Sequence, residues 1–236
     1  MENASKALIM AGSILVALLI IGLITLSYNQ ISSIRQTKAN ADASTKLTDY
    51  AKRFEQYNTS IYGSELLSLG NLQLDYNYRQ AELSGYKPVT IVVKITKEIN
   101  ENGRVYLSKG EQNVSSVREG ISNMEDTISK YEQDSNGYEN KKDKNKRSVK
   151  YYAQLTNRQI ATLFDISFLS SELDYEIGDR LSNELDNPKT AKLLKDIEKY
   201  KNIKTTYTEF KNTRFTCNRA TYDENGRITY MYFTEN

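Results

Sequence analysis

The feature that most constrains this chain is a long uncharged run near its N-terminus. No Asp, Glu, Lys or Arg occurs between Lys6 and Arg35, and residues 7–28 are almost entirely apolar. As an α-helix, residues 7–28 would span roughly 33 Å, slightly more than the bilayer hydrocarbon core of about 30 Å. A core helix of a soluble domain would show a polar face, and this run has none. The run therefore predicts a transmembrane helix.

A cleaved secretion signal is the alternative explanation of the same run. Signal sequences usually have an apolar region of about 7–15 residues, with a small-x-small cleavage site close behind it. The nearest such site, at residues 39–41, lies well beyond the apolar run. We therefore expect an uncleaved anchor. In this division of the chain, residues 1–6 are a short tail, residues 7–28 cross the membrane, and residues 29–236 form a soluble domain.

Positive charges near the span leave its orientation open. Lys6 lies on the N-terminal side, whereas Arg35, Lys38 and Lys46 follow the span. A plain count of these charges is indecisive or slightly adverse to an inside N-terminus under the positive-inside rule. However, a short tail before the span and a large domain after it are typical of signal anchors. We expect a single-pass protein with an extracytoplasmic domain.

Two features of this helix are candidate assembly determinants. Small side chains, which allow helices to approach closely in lipid, recur at Ala7, Ala11, Ser13, Ala17 and Gly22. The alternative explanation is that a membrane helix simply tolerates small residues at these positions. Glu2 and Lys6 have the i,i+4 spacing of an ion pair within one helix. The alternative for Glu2 is pairing with the amine of a neighbouring copy, because a lone charge in hydrocarbon costs roughly 2.5–3.5 kcal/mol or more.

Beyond the span, an amphipathic pattern continues the helix toward the domain. Apolar residues recur at helical spacing at Leu47, Tyr50, Ala51, Phe54, Tyr57 and Ile61. This predicts one helix from about residue 5 to residue 61, whose second half covers the domain with its apolar face. A break in the Ser/Asn/Asp-rich stretch 39–45 is the alternative. Gly63 would end the helix, and Ser64 would cap a short next one.

Alternating residues predict a small β-sheet. Val89, Ile91, Val93 and Ile95 share one side of a strand at residues 89–96, and residues 104–108 are a candidate returning strand after a turn at 100–103. Residues 205–222 and 227–234 flank the turn sequence Asp-Glu-Asn-Gly and predict a hairpin. Together these segments predict an antiparallel sheet of at least three strands. Such a sheet needs a cover on one face, so we expect an α+β fold with the N-terminal helix as that cover.

Three further helices and a polar loop complete the prediction. Apolar residues recur at helical spacing within residues 117–131, 160–177 and 189–201. For 117–131 we expect core packing rather than a coiled coil. The loop at 134–150 carries a candidate basic surface made of Lys141, Lys142, Lys144, Lys146, Arg147 and Lys150. Such a run can contact phosphate or lipid headgroups, or simply be solvated.

Composition argues against most enzyme chemistry. The chain has no histidine, which removes the commonest general base and histidine-ligated zinc. Its single cysteine, Cys217, lies in a predicted strand, and we expect its thiol to be buried and inert. The acids near residues 165–179 scatter around a predicted helix. A formal net charge of +2 gives no indication of nucleic-acid binding. We expect a non-enzyme without catalytic residues, metal or cofactor.

The predicted layout, an apolar-then-amphipathic helix on an antiparallel sheet, resembles bacterial type IV pilins and pseudopilins, including those of tight-adherence systems. The segments "YGSELLSL", "RFTC…YDENGRITYMYF" and "ENASKALIMAGSIL" are similar to a group of uncharacterised single-span Firmicutes membrane proteins. The sequence departs from pilins where a basic-Gly leader site would stand, and Glu2 only loosely matches the pilin acid. The resemblance implies a pilin-like surface protein and assigns no catalytic residue.

Two functional hypotheses follow. The first is a structural or interaction protein, a subunit or accessory of a surface filament or secretion machine, whose partners are lipid and copies of itself or other pilin-like subunits. The alternative is a monomeric, membrane-tethered, extracytoplasmic binding or sensing domain.

Overall fold

The computed structural model describes residues 2–101, 103–142, 145–183 and 188–236. The helices are α1 Glu2–Glu55, α2 Gly63–Arg79, α3 Val114–Glu132, α4 Val149–Ala153, α5 Asn157–Leu163, α6 Asp174–Asn183 and α7 Pro188–Asn212. The strands are β1 Ser60–Tyr62, β2 Thr90–Ile95, β3 Ile99–Glu101, β4 Arg104–Leu107, β5 Gly110–Asn113, β6 Tyr138–Glu139, β7 Lys146–Arg147, β8 Arg214–Tyr222 and β9 Ile228–Glu235. The α+β class predicted from the sequence is confirmed.

The helix α1 is continuous, as predicted, and the alternative of a break at 39–45 is wrong. It ends at Glu55 rather than near residue 61, because a turn at residues 56–59 leads into β1. The expected apolar face is confirmed, since Leu47, Phe54 and Ile61 are all buried. Ile61 contributes to that face from a strand instead of from the helix.

The main sheet has five strands in the order β1-β8-β9-β2-β5. The predicted C-terminal hairpin is confirmed as β8 and β9, with Gly226 in the turn at a φ of 71°. The sheet is mixed rather than purely antiparallel, because β2 and β9 run parallel. The candidate strand β4 does not return along β2. It pairs with β3 across a turn at Gly103, and β5 takes the place beside β2.

One face of the sheet carries the core. Ile91 and Val93 of β2 and Met231 and Phe233 of β9 are buried there. The last turns of α1 reach this core, as predicted, but α2 and α3 pack on it as well. The helix α2 is longer than the expected short one. The backbone N–H before it, at Tyr62, donates to the Glu65 carboxylate, so Ser64 is not its cap.

Close packing joins α2 to the end of α7. A side chain at Gly63 would overlap the carbonyl group of Phe210, and the Gly63 N–H donates to the carbonyl of Thr213 at 2.8 Å. The helix α7 continues to Asn212, so residues 205–212, which we expected in the hairpin arm, are helical. Within residues 205–212, the Tyr207 hydroxyl donates to Glu125 of α3. Packing on α3 therefore outweighs the β preference of this Thr- and Tyr-containing segment.

The region predicted as one helix at 160–177 is divided in two. Asp165, with a φ of 59°, follows the end of α5, and the Ile166 N–H returns to the Ala161 carbonyl. An irregular stretch then leads to α6. By contrast, α3 forms as predicted, with Val117, Ile121 and Met124 in the core.

Candidate functional site

The most prominent feature of the molecule is the unpacked part of α1. Gly12 and every residue from 14 to 42 are exposed in the folded chain. Large apolar side chains make up most of the first half of this stretch, at Ile14, Leu15, Val16, Leu18, Leu19, Ile20, Ile21, Leu23, Ile24 and Leu26. By length and composition, this N-terminal helix is able to cross a membrane.

Hydroxyl groups in this stretch are bonded back to the helix itself. Thr25 Oγ1 donates to the Ile21 carbonyl at 2.9 Å, and Thr37 Oγ1 donates to the Ser33 carbonyl at 2.9 Å. Such bonds satisfy the hydroxyl without water, as a threonine in a membrane-spanning helix would require.

The last turns of α1 attach it to the domain. Ala43 is the first buried residue after the exposed stretch, and Leu47 and Phe54 follow in the core. The Phe54 ring meets the Tyr76 ring of α2 edge-on, with centroids 5.5 Å apart. Nearby, the Tyr50 hydroxyl donates to the Asp75 carboxylate at 2.6 Å. This bond raises the pKa of Tyr50 and lowers that of Asp75. Aromatic packing and this bond hold the last turns of α1 against α2.

The described side chains among the predicted assembly residues are those of Ala17 and Gly22. Ala17 and Gly22 are on described, exposed helix. The backbone is helical at Ala7, Ala11 and Ser13 as well, but these side chains lie outside the described ones. The same holds for Glu2 and Lys6, so their pairing stays a prediction.

The structure separates the members of the candidate basic surface. Lys141, Lys142 and Lys146 are exposed around the β6–β7 turn, while Lys144 lies outside the described residues. The Arg147 guanidinium stacks 5.5 Å from the centre of the Tyr151 ring. Lys150 is bound to Glu132, with 3.3 Å between Nζ and Oε2. Among the five described residues of this set, the side chains of Arg147 and Lys150 have structural contacts within the domain.

Glu132 is the centre of an ionic cluster that joins three helices. Its carboxylate on α3 accepts from the Tyr200 hydroxyl at 2.8 Å and from Lys204 Nζ at 2.9 Å on α7, and pairs with Lys150 of α4. The hydrogen bonds from Lys204 and then Tyr200 lower the pKa of Glu132 to about 2. The cluster is accounted for by helix packing, and sequence spacing alone gave no sign of it.

The acids singled out from the sequence also have structural partners. Glu172 forms an ion pair with Arg180, and the Asp174 carboxylate accepts from the backbone N–H groups of Asn157 and Arg158 at the start of α5. Cys217 is half-buried rather than buried, and burial raises the pKa of its thiol. Within the described residues, no three acidic or cysteine side chains are grouped to hold a metal ion.

A second surface, which we call the open sheet face, lies opposite the core. It is formed by Ser60, Thr90, Val92, Lys94, Glu111, Asn113, Thr216, Arg219, Thr221, Tyr230, Tyr232 and Thr234, all of them half-buried or exposed. The Tyr232 hydroxyl donates to Glu111 at 2.9 Å, and this bond raises the pKa of Tyr232. Sequence analysis missed this face. Its signal was the alternation of Tyr230 and Tyr232 with buried Met231 and Phe233.

Comparison with known proteins adds no relative. The chain matches no protein-family model, no curated protein and no solved structure.

Proposed function

We propose that this chain is a membrane-anchored, pilin-like structural or interaction protein, a subunit or accessory of a surface filament or secretion machine. The observation that carries the proposal is the exposure of residues 14–42 in an unbroken helix. Lipid accounts for the exposed residues up to Tyr28. It does not account for residues 29–42, roughly 21 Å of helix between the span and the domain.

Those residues favour contact with other helices. Residues 29–42 include Ser, Asn, Thr and Asp, which have weak helix preference, so packing against other helices would stabilise this stretch. Ile31 is 50% exposed and Ile34 is 66% exposed in the single chain. Ile31 also lies about five helical turns beyond Ser13, on the same side of α1. A bundle formed by copies of α1 would cover both isoleucines and bring together Ser13 and Ala17, the small residues on that side of the span.

In this proposal the domain is extracytoplasmic and the protein is not an enzyme. Before assembly, α1 holds the subunit in the bilayer. During assembly, α1 packs against its neighbours and the domain is carried at the surface, at a fixed angle set by Leu47 and Phe54. The second candidate, a monomeric tethered binding domain, is favoured by the open sheet face.

Single-cysteine cross-linking separates the two candidates. In a Cys217→Ser background, one cysteine is placed in turn at positions 29–40 of the full chain, and native membranes are oxidised. We expect disulfide-linked dimers for Ile31→Cys and Ile34→Cys. The matched control Ser33→Cys lies on the opposite side of the helix and is expected to stay monomeric. Denaturing gels without reductant measure the outcome.

The pattern along the helix decides between the proposals. Cross-linking that recurs every three to four positions supports helix packing between copies. No cross-linking, or equal cross-linking at every position, contradicts assembly through α1 and favours the tethered monomer.

A further inference from the structure

A cavity of about 280 Å³ lies at the end of the main sheet opposite the β8–β9 turn. The ends of β2 and β9 and the start of β8 contribute to it, together with the last turns of α7 and the segment that leads from β2 into β3. Pockets for drug-sized ligands measure roughly 300–1,000 Å³. The cavity is slightly smaller, so it suits a small organic molecule.

The floor of this cavity is apolar. Ile95, Phe210 and Phe215 line it and are buried, and Ile99 is half-buried beside them. A ligand that reaches this floor gains free energy by removing its methylene groups from water. A hydrated inorganic ion gains nothing from apolar contacts, because it prefers oxygen ligands. The floor therefore favours an organic ligand.

Three carboxylates lie around the opening. Glu98 and Glu209 are exposed there, and Glu235 is half-buried. The Asn100 amide donates to Glu98 at 2.5 Å, whereas the Thr96 N–H and hydroxyl donate to Glu235 at 2.8 Å and 2.5 Å. These donors are neutral, so they favour the ionised carboxylate and leave its charge in place. The Glu209 carboxylate has no hydrogen bond or ion pair with any described residue.

Positive charge is scarce next to these carboxylates. Among the described residues that line the cavity, Lys97 is the one cation, so the lining has an excess of two negative charges. The carboxylates are also too widely spread to hold one metal ion, since no three acidic side chains in the described part of the chain are grouped for that purpose. This spacing suits a ligand whose positive charges are separated along its length.

We propose that this cavity binds an aliphatic polyamine, a chain of methylene groups that carries two or more ammonium groups. The methylene groups pack on Ile95, Phe210 and Phe215. The ammonium groups donate charge-assisted hydrogen bonds to the carboxylates around the opening and neutralise their excess charge. The proposal goes beyond assembly and does not depend on it, because none of the described residues that line the cavity comes from α1.

The test uses the full chain in nanodiscs of zwitterionic lipid, and calorimetry compares three probes: spermidine, Mg²⁺ and trilysine. We expect spermidine to bind, and its affinity to fall several-fold as salt rises from about 0.05 M to about 0.5 M. Mg²⁺ has no apolar part, and the backbone of trilysine is too bulky for the cavity. Each of these two probes is expected to bind at least about tenfold more weakly than spermidine.

Three variants and one control assign the site. Glu98→Gln and Glu209→Gln remove one charge each and keep the size of the side chain, and each is expected to weaken spermidine binding about three- to tenfold. Lys97→Gln removes the competing cation and is expected to strengthen binding about two- to threefold, a gain that misfolding cannot produce. The control Glu198→Gln removes an exposed acid of α7 outside the cavity and is expected to leave the affinity unchanged. Circular dichroism confirms that each variant is folded.

Several results would overturn the proposal. Absence of spermidine binding does so, as does weakening by Lys97→Gln or by Glu198→Gln. Mg²⁺ binding as tightly as spermidine would show a plain acidic surface, and trilysine binding as tightly would show a contact for lysine side chains of another protein. None of these outcomes bears on cross-linking through α1, so this proposal and the assembly proposal fail separately.

Discussion

At the scale of single residues, charge is used mainly to hold helices together. Glu132 is the clearest case, because one carboxylate receives Lys204, Tyr200 and Lys150 from two other helices. Its folded-state pKa of about 2 is below the ordinary value of 4.5. A depressed carboxyl pKa contributes stability that is fully present above the unfolded-state pKa. That contribution is lost as pH falls from about 4.5 toward 2.

We expect Glu132→Gln to lower the free energy of unfolding by about 1–2 kcal/mol at pH 7, a figure that allows for solvent screening of a partly exposed group. The difference between wild type and variant should shrink as pH falls from 4.5 toward 2. Denaturant unfolding in detergent at several pH values measures it. Glu119→Gln is the matched control, since Glu119 is an exposed acid on the same helix. A pH-independent difference would contradict the assignment.

At the scale of elements, α1 has two parts with different environments. Residues 14–42 are exposed on every side of the helix, and its last turns belong to the domain core. Leu47, Tyr50 and Phe54 pack the last turns of α1 on the domain. Because the helix is unbroken, it continues from the domain core into residues 14–42 without a linker.

Shortening one apolar side chain in each part of α1 tests whether the two parts have different environments. Leu47→Ala removes a side chain that is 1% exposed and is expected to destabilise the domain by about 2–4 kcal/mol. Ile34→Ala shortens an exposed side chain of the same helix and is expected to leave the domain's unfolding free energy unchanged. In the assembly proposal, Ile34→Ala instead weakens cross-linking between copies. Equal destabilisation by both changes would contradict this division of α1.

At the scale of the whole molecule, the domain is a two-layer structure at one end of a long helix. Helices cover one face of its sheet, and the other face is open. This arrangement leaves three surfaces for function: the apolar part of α1, the polar helix after it, and the open sheet face. The proposed membrane anchor uses the first surface, and the proposed assembly uses the second.

Orientation is tested on intact cells. Lys141 and Lys142 are exposed around the β6–β7 turn and offer trypsin sites. If the domain is extracytoplasmic, trypsin added outside is expected to cleave the full chain while a cytoplasmic marker stays intact. Cleavage that requires cell lysis would place the domain in the cytoplasm and contradict the predicted orientation.

The sequence by itself determined the features that depend on local periodicity and composition. The charge-free run, the apolar faces of α1 and α3, the alternation of β2 and the turn at Gly226 are each visible within a few consecutive residues. These patterns were enough for the α+β class, the continuous N-terminal helix and the C-terminal hairpin. The exposed apolar stretch of α1 could be predicted in the same way, because its length and composition are visible without any partner from elsewhere in the chain.

Only the tertiary structure decided the features that depend on distant partners. The parallel pairing of β2 with β9 joins segments far apart in sequence, and no local pattern specifies it. Residues 205–212 are rich in residues that favour strands, yet they are helical because they pack on α3. The open sheet face likewise exists only because Arg219, Tyr232, Lys94 and Glu111 come from four different strands. Local preferences amount to a fraction of a kcal/mol per residue, so burial and long-range pairing override them.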